Sequence, residues 1–213
     1  MTDIFDLFKK ISSSSSSTQG APEFLVAGLG NPGKEYAFTR HNAGFLAMDY
    51  LTEKRNLGDL RTSRFKSLVL QTEIGGHKVL LMKPQTYMNA SGEAVREAAD
   101  FYKIPPEKIL VISDDVAQEP GRMRIRRSGS DGGQKGLRSI IEHLGTDAFP
   151  RIRIGVGAKP RPDYPMADWV LGRIPEEHQK PIFSILGCVS DAVPMILDGR
   201  FDDAMSKFNG VQF

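Results

Sequence analysis

Phe24-Leu25-Val26-Ala27-Gly28-Leu29-Gly30-Asn31-Pro32-Gly33 joins four apolar residues to a glycine-rich turn and predicts a strand that ends in a loop. A few residues later, Thr39-Arg40-His41-Asn42-Ala43-Gly44 places a histidine beside an asparagine at the start of a predicted amphipathic helix. The glycines allow a ligand to approach the backbone closely, and the two side chains supply a titratable base and an amide. This composition is typical of an active site.

The same glycines also match the dinucleotide-binding pattern G-x-G-x-x-G. In that fold the third glycine begins a helix, and an acidic residue follows about 20 residues later, after a second strand. Here Pro32 precedes Gly33, no apolar helical run follows, and the nearest acid, Asp49, lies inside the helix predicted from Ala43. We therefore expect no nucleotide cofactor, and a nucleotide-dependent oxidoreductase is the weakest of three hypotheses.

The composition predicts one soluble domain. Of the 213 residues, 40% are hydrophobic and 25% are charged, which is ordinary for a globular protein. No apolar run approaches the ~20 residues of a membrane span, and residues 1–11 lack the pattern of a secretory signal. The single cysteine, Cys188, lies in an apolar run and is interpreted as a small buried side chain in a reducing compartment. We expect a cytoplasmic protein that binds no membrane.

Positive charge is concentrated in residues 120–161. This segment holds ten basic and three acidic residues, a local charge of +7. Because the net charge of the whole chain is +2, the remaining residues together carry −5. Arginines at 122, 124 and 126, and again at 151 and 153, alternate with apolar residues. On strands, this spacing places the arginines on one face. That face predicts either a site for a polyanion or an ordinary solvated sheet surface.

The alternation of predicted strands and helices indicates an α/β fold, a single domain with a mixed, twisted β-sheet sandwiched between helices. Strands are predicted at 24–29, 64–74, 77–83, 109–112, 122–127 and 151–156. Helices are predicted at 43–56, 91–103 and 136–144, with two short helices near 176–198 and 201–208. Residues 1–22 are rich in serine and predict a flexible appendage, so the folded domain is expected to span 23–213.

His41 is the best candidate for a general base, because histidine is the side chain whose ordinary pKa lies nearest neutrality. A base also needs a partner that orients its ring, commonly a carboxylate. Asp114 or Asp115 fits, since both follow a predicted central strand at the edge where α/β sheets gather their sites. The alternatives are an ordinary histidine at a helix start and two aspartates in a solvated loop. A metal pair is not expected, because no metal-ligand spacing accompanies the aspartates.

A second candidate segment is Tyr87-Met88-Asn89, which follows a strand end and leads into a predicted helix. The tyrosine and methionine suit an apolar group of a substrate. Asn89 is either a ligand contact or a cap, and we expect Asn89 or Ser91 to cap the helix.

Together, these segments resemble the bacterial peptidyl-tRNA hydrolase family, in the same order and over about residues 24–205. The resemblance rests on Asn31-Pro32-Gly33, Tyr36, Thr39-Arg40-His41-Asn42, Tyr87-Met88-Asn89-Ala90-Ser91-Gly92, Ser113-Asp114-Asp115 and the stretch from Gly121 to Gly136. It implies an esterase that acts on N-acylated aminoacyl-tRNA and releases peptide and tRNA. It also implies a monomer that needs neither a cofactor nor a metal, with peptidyl-tRNA as its nucleic-acid partner.

The resemblance assigns roles by position. It implies that His41 activates the attacking water and that Asp114 keeps the imidazole basic and oriented. Asn31 and Asn89 would hold the peptide backbone and the ester, and Asn31 would also help to reject free α-amines.

Further positions would bind the two ends of the substrate. Tyr36, Tyr87 and Met88 would surround the acyl group and the 3′-terminal nucleotides. Arg126 and Arg153 match basic positions that clamp the tRNA 5′-phosphate.

The chain departs from the family pattern in two segments. The usual Gly-Gly-His-Asn-Gly loop reads Gly132-Gly133-Gln134-Lys135-Gly136 here, so Lys135 replaces an amide. Lys135 could contact a tRNA phosphate or the ester carbonyl, but a charged lysine cannot accept a hydrogen bond. The acid that often follows the Asp114 region is replaced by Ala117. A non-catalytic RNA-binding relative with the same fold is therefore the leading alternative.

Overall fold

A computed structural model of the chain describes residues 20–213, so the predicted appendage lies outside the described residues as far as residue 19. The strands are β1 Phe24–Gly28, β2 Thr62–Arg64, β3 Ser67–Ile74, β4 His77–Pro84, β5 Ile109–Asp115, β6 Met123–Arg126 and β7 Arg151–Gly155. The helices are α1 Ala43–Lys54, α2 Ser91–Tyr102, α3 Lys135–Leu144, α4 Met166–Leu171, α5 Glu176–Leu197 and α6 Phe201–Phe208. Single turns of 3₁₀ helix lie at Lys34–Tyr36, Arg40–Asn42, Met88–Ala90 and Pro106–Lys108.

The strands form one mixed sheet in the order β2-β3-β4-β1-β5-β7-β6. Strands β4, β1, β5 and β7 run parallel, whereas β2, β3 and β6 pair in antiparallel fashion. After β1 the chain continues to β2, β3 and β4, which lie on one side of β1 within the sheet. After β5 it continues to β6 and β7 on the other side, so a crevice opens where β1 and β5 end. At the opposite ends of the strands, Glu23 N donates a hydrogen bond to Lys78 O at 2.8 Å just before β1 begins. The predicted mixed sheet is confirmed.

Helices cover both faces of the sheet, because side chains on each strand alternate between them. In β1, Val26 packs in a core with helices α1, α5 and α6. Its neighbours Leu25 and Ala27 pack in a second core with helices α2 and α3. This two-layer packing confirms the predicted sandwich.

The cap predicted for α2 is wrong. Its N-cap is Ala90, without a side-chain hydrogen bond to the helix, and Ser91 Oγ donates instead to Met88 O at 2.9 Å. The preceding 3₁₀ turn runs directly into α2, so neither Asn89 nor Ser91 has the extended backbone of a side-chain cap. A free backbone N–H of α2 is satisfied from the neighbouring helix, since Gly92 N donates to Ser139 Oγ at 3.0 Å.

The two C-terminal helices lie where they were predicted, but the first of them is not short. Helix α5 is a continuous 22-residue helix that contains both Pro181 and Pro194. By length and composition it could cross a membrane, contrary to the expectation from sequence. However, half of its most apolar window is buried, as in the core helix of a soluble protein. The short helix α4 was not predicted, because six residues carry too little periodic pattern.

Candidate active site

A cleft of about 430 Å³ lies at the carboxyl ends of β1 and β5. Most of the predicted site residues line it: Asn31, Tyr36, His41, Tyr87, Met88, Asn89, Asp114, Lys135 and Arg153. Its wall is completed by residues that were not predicted as site residues: Val116, Gly132, Gly133, Gln134, Met166, Ala167, Val170 and Leu171. The topology therefore gathers segments that are distant in sequence into one site.

His41 and Asp114 form a buried pair at the base of the cleft. His41 Nδ1 lies 3.0 Å from both Oδ1 and Oδ2 of Asp114, and the two residues are 8% and 2% exposed. An ionised carboxylate only accepts hydrogen bonds, so Nδ1 carries the proton and donates it to Asp114. In the neutral imidazole with this tautomer, the other ring nitrogen, Nε2, is unprotonated and can accept a proton. The pairing predicted from sequence is confirmed as geometry.

Asp115 has a different role from its neighbour, which decides between the two predicted partners. Its Oδ1 accepts from Ala117 N at 2.9 Å, and its Oδ2 accepts from Gln118 Nε2 at 2.9 Å. Arg153 lies against the same carboxylate, with Nη2 donating to Oδ1 at 3.2 Å. Asp115 therefore shapes the turn after β5 and partly neutralises Arg153.

Backbone-to-backbone packing brings His41 to Asp114. Leu29 N donates to Ile112 O at 2.9 Å, and Phe45 N donates to Leu29 O at 3.2 Å. Gly44 fits between these groups, since a Cβ there would lie 2.4 Å from both Ile112 O and Leu29 N. The start of α1 thus rests on the ends of β1 and β5, which places His41 beside a residue two positions beyond Ile112.

The glycine-rich turn of residues 28–33 is held by two asparagines. Asn42 Oδ1 accepts from Asn31 N at 2.9 Å, and Asn42 Nδ2 donates to Asn31 O at 3.0 Å. Asn31 Oδ1 accepts from Met88 N at 2.8 Å, which ties the loop to the Tyr87–Asn89 segment. Because Oδ1 is engaged, Nδ2 is the polar atom that Asn31 can offer to a ligand. Asn42 was part of the sequence pattern, but its clamping role was not predicted.

The rim of the cleft is partly apolar. Tyr87 is 61% exposed, whereas the adjacent Met88 is buried. Asn89 is exposed beside them, and Tyr36 is half-buried across the cleft. These residues surround the His41–Asp114 pair with surfaces suited to an acyl chain or to bases.

Gln134 is a site residue that the sequence analysis missed. Its Nε2 donates to Asp114 Oδ1 at 2.9 Å, and its Oε1 accepts from Leu137 N at 2.7 Å at the start of α3. The sequence feature that could have indicated it is its position in the loop of residues 132–136, in which only the adjacent Lys135 was predicted as a site residue. Lys135 is exposed and lines the cleft.

The arginine face of β6 and β7 lies beside the loop of residues 132–136, and it offers fewer free arginines than the sequence indicates. Across β6 and β7, Arg124 pairs with Arg153 and Arg126 pairs with Arg151, so the four share one face. Arg153 reaches the cleft, whereas the exposed Arg126 lies at the other end of β6.

Arg151 is withdrawn from that face, with an exposed fraction of only 1%. Its guanidinium donates to the carbonyl oxygens of Gly129, Ser130, Asp147 and Phe149. Burial lowers the pKa of Arg151 to about 10. Arg151 therefore braces the loop that precedes α3 and is unavailable to a polyanion.

Helix α4 forms the outer wall of the cleft through Met166 and Val170. Arg40 holds this helix, because its guanidinium stacks on Trp169 and donates to Arg173 O at 3.0 Å. Burial lowers the pKa of Arg40. Trp169 Nε1 donates to Gly157 O at 2.9 Å and fixes the other side of the indole.

Within residues 20–213, no group of three or more His, Cys, Asp or Glu side chains is placed to hold a metal ion. The two aspartates at the end of β5 are each engaged with a partner inside the protein, His41 for Asp114 and Arg153 for Asp115.

Comparison with known proteins identifies the family of the chain. The family model described as peptidyl-tRNA hydrolase matches residues 25–213. A peptidyl-tRNA hydrolase from Caldicellulosiruptor bescii is 48% identical over 188 residues, which cover 88% of this chain and 97% of the relative. One from Clostridium novyi is 47% identical over 187 residues, covering 88% and 98%.

Solved structures show the same architecture. The crystal structure of peptidyl-tRNA hydrolase from Acinetobacter baumannii superposes with a TM-score of 0.83 at 36% identity, covering 91% of this chain and 98% of that one. A crystal structure of a peptidyl-tRNA hydrolase in complex with N-propanol gives a TM-score of 0.83 at 37% identity, covering 89% and 95%. The sequence matches and the fold together establish that this chain belongs to the peptidyl-tRNA hydrolase family and is a hydrolase.

Proposed function

We propose that the cleft hydrolyses the ester bond between the peptide and the tRNA of an N-acyl-aminoacyl-tRNA. The observation that carries this proposal is the buried His41–Asp114 pair, whose proton arrangement leaves Nε2 of His41 as a base. An ester is an activated substrate, so water activation and a few well-placed donors are sufficient for its cleavage.

In this mechanism His41 Nε2 takes a proton from a water molecule as that water attacks the ester carbonyl. Asp114 holds the imidazole in the required tautomer and stabilises the imidazolium that forms. The proton then passes to the leaving 3′-oxygen of the tRNA, and the peptide leaves with a free carboxyl group. The atoms balance without any further reactant.

Amide groups position the substrate. Asn31 Nδ2 and the side chain of Asn89 donate to the peptide backbone and to the ester region, since both residues line the cleft. Tyr36, Tyr87 and Met88 supply apolar surface for the acyl group and the terminal bases. An acylated nitrogen is neutral, whereas a free α-amine brings a charge that these groups do not neutralise, which disfavours unacylated aminoacyl-tRNA.

The tRNA lies along the arginine face. Arg153 is near the cleft and Arg126 is farther along the sheet, so they contact phosphates at different distances from the ester. Lys135 at the start of α3 adds a cation beside the ester. Such contacts position the backbone without reading its sequence. We propose that the enzyme acts as a soluble, metal-free and cofactor-free monomer in the cytoplasm.

The test compares N-acetyl-aminoacyl-tRNA with its unacetylated counterpart. The wild-type protein is expected to cleave only the acetylated substrate, and His41→Ala is expected to lose this activity. Binding of tRNA without cleavage by the wild-type protein would support a non-catalytic RNA-binding relative instead. That alternative is not favoured, because His41, Asp114, Asn31 and Asn89 are all present and gathered in one cleft.

A further inference from the structure

Gln134 connects the His41–Asp114 pair to helix α3. It is a polar side chain with an exposed fraction of only 6%, and both ends of its amide are hydrogen-bonded. Buried amides of this kind are costly unless they are satisfied, so the arrangement fixes a single orientation of the side chain.

The helix determines which end of the amide faces Asp114. Gln134 is the N-cap of α3, and its Oε1 accepts the hydrogen bond of Leu137 N at 2.7 Å. With the oxygen committed to the helix, the NH₂ group must point the other way. It donates to Asp114 Oδ1 at 2.9 Å and lies 3.1 Å from Met88 Sδ.

Asp114 depends on these donors. Its carboxylate is 2% exposed and has two hydrogen-bond donors among the described side chains, His41 Nδ1 and Gln134 Nε2. A buried carboxylate with a single donor could rotate or lose its charge, and either change would release His41 from its tautomer. The amide supplies a neutral donor, so it holds the carboxylate without competing with His41 for its charge.

We propose that Gln134 is a positioning residue for ester hydrolysis, which locks the Asp114 carboxylate and thereby keeps the proton of His41 on Nδ1. This proposal rests on the proposed function, since it assigns a role within that reaction. Gln134 acts through Asp114 rather than by touching the reacting atoms. The adjacent residue Lys135 is exposed and lines the cleft. In this proposal Gln134 supports Asp114, and Lys135 contacts the substrate.

Three substitutions test this role. Gln134→Met keeps the length of the side chain but removes both hydrogen bonds. Gln134→Glu keeps an oxygen for Leu137 N but places a second carboxylate beside Asp114. Gln134→His keeps a donor in the place where the loop of the family carries an imidazole. Ser139→Ala is the matched control, since it removes the acceptor of Gly92 N, which weakens the contact between α2 and α3, and does not touch Asp114.

The first readout is the steady-state cleavage of N-acetyl-aminoacyl-tRNA. Gln134→Met and Gln134→Glu are expected to lower kcat roughly 10- to 100-fold, the effect of losing a hydrogen bond to a charged group, with little change in KM. Gln134→His is expected to restore most of kcat. Ser139→Ala is expected to lower the melting temperature and leave kcat unchanged.

The second readout does not depend on activity. The ¹⁵N chemical shifts of the His41 ring report which nitrogen carries the proton. We expect a single Nδ1–H tautomer in the wild-type and Gln134→His proteins, and a mixture in Gln134→Met. Unchanged shifts and an unchanged kcat in Gln134→Met would overturn the proposal. An inactive wild-type protein would overturn the proposed function instead, while the ring shifts would still decide whether Gln134 orients the pair.

Discussion

The guanidinium carbon of Arg40 lies 3.5 Å from the centre of the Trp169 ring, so the residue before His41 carries the helix that closes the cleft. Arg40 Nη1 also donates to Trp169 O at 3.3 Å and to Arg173 O at 3.0 Å. The base and the outer wall of the site are therefore joined through one buried cation. A change at Arg40 acts on both.

Arg40→Lys should loosen α4, because an ammonium group loses the planar stacking and the paired hydrogen bonds of a guanidinium. We expect KM for N-acetyl-aminoacyl-tRNA to rise several-fold, roughly 1–2 kcal/mol of lost interaction. Arg64→Lys is the matched control, since Arg64 stacks on Phe65 and Phe101 away from the cleft. Equal effects of the two substitutions on KM would contradict the link to α4.

Asp114→Asn tests the orienting carboxylate. An amide does not fix the tautomer of His41, so kcat should fall about 10³- to 10⁴-fold, as for other hydrolases that lose this carboxylate. Asp115→Asn changes the adjacent residue, which faces Arg153 and the turn after β5. Because the change removes a charge that partly neutralises Arg153, it should strengthen tRNA binding and retain most of kcat. Rapid-quench measurement of single turnovers separates the two effects, and a similar loss of kcat in both variants would argue against the assignment.

Gly44→Ala should destabilise the fold. The added Cβ would lie 2.4 Å from Ile112 O, a backbone atom that cannot move independently. We expect a loss of about 3 kcal/mol in the free energy of unfolding, measured by urea denaturation. Gly187→Ala provides the comparison, because its Cβ would make an ordinary 3.5 Å contact with Tyr50 Oη inside helix α5. That variant should be stabilised by about 0.5–1 kcal/mol.

The tRNA affinity should fall with salt, because arginines that neutralise phosphates release counterions. Arg126→Ala is expected to reduce the slope of log Kd against log salt by about 1. Arg151→Met should leave this slope unchanged and lower the melting temperature, since the guanidinium of Arg151 donates to backbone carbonyls of the loops that precede α3 and β7. A salt-independent Kd for the wild-type protein would remove the case for an arginine face that binds tRNA.

Cys188 should react slowly with iodoacetamide. Burial, and then the negative charge of Asp191, raise the pKa of the Cys188 thiol. A raised pKa means a smaller thiolate fraction at a given pH, so the alkylation rate should still be increasing above about pH 9. The unfolded protein is the reference and should react faster at about pH 8. Mass spectrometry follows the reaction directly, because the chain has a single cysteine.

Much of the site was predictable because its residues have side chains of types that are common in active sites. His41, Asp114 and the Tyr87–Asn89 segment stand at strand ends or helix starts, where topology concentrates function. The cleft gathers them as expected. The residue pattern alone left the choice between Asp114 and Asp115 open, since neighbouring residues on a strand point to opposite faces and the pattern does not show which face holds His41. Only the family resemblance assigned the role to Asp114.

Other features depend on long-range contacts that have no local signal. Arg151 and Arg153 have the same spacing in β7, but Arg151 donates to the carbonyls of Gly129 and Ser130, whereas Arg153 pairs with Asp115 and lines the cleft. The hydrogen bond from Gly92 N to Ser139 Oγ replaces a local cap with one from another helix. Gln134 was overlooked for the same reason, because its importance comes from a partner 20 residues away.

The direction of β1 has a practical consequence for attaching this protein to a surface. Glu23 and Lys78 lie at the edge where β1 begins, and the cleft lies where it ends, about 17 Å farther along for a five-residue strand. The carboxyl-terminal Phe213, in contrast, bonds to Gly121 O just before β6 on the cleft side of the sheet. A support coupled through the edge near Glu23 would present the cleft outward, whereas one coupled through Phe213 would crowd the approach of a bulky nucleic acid.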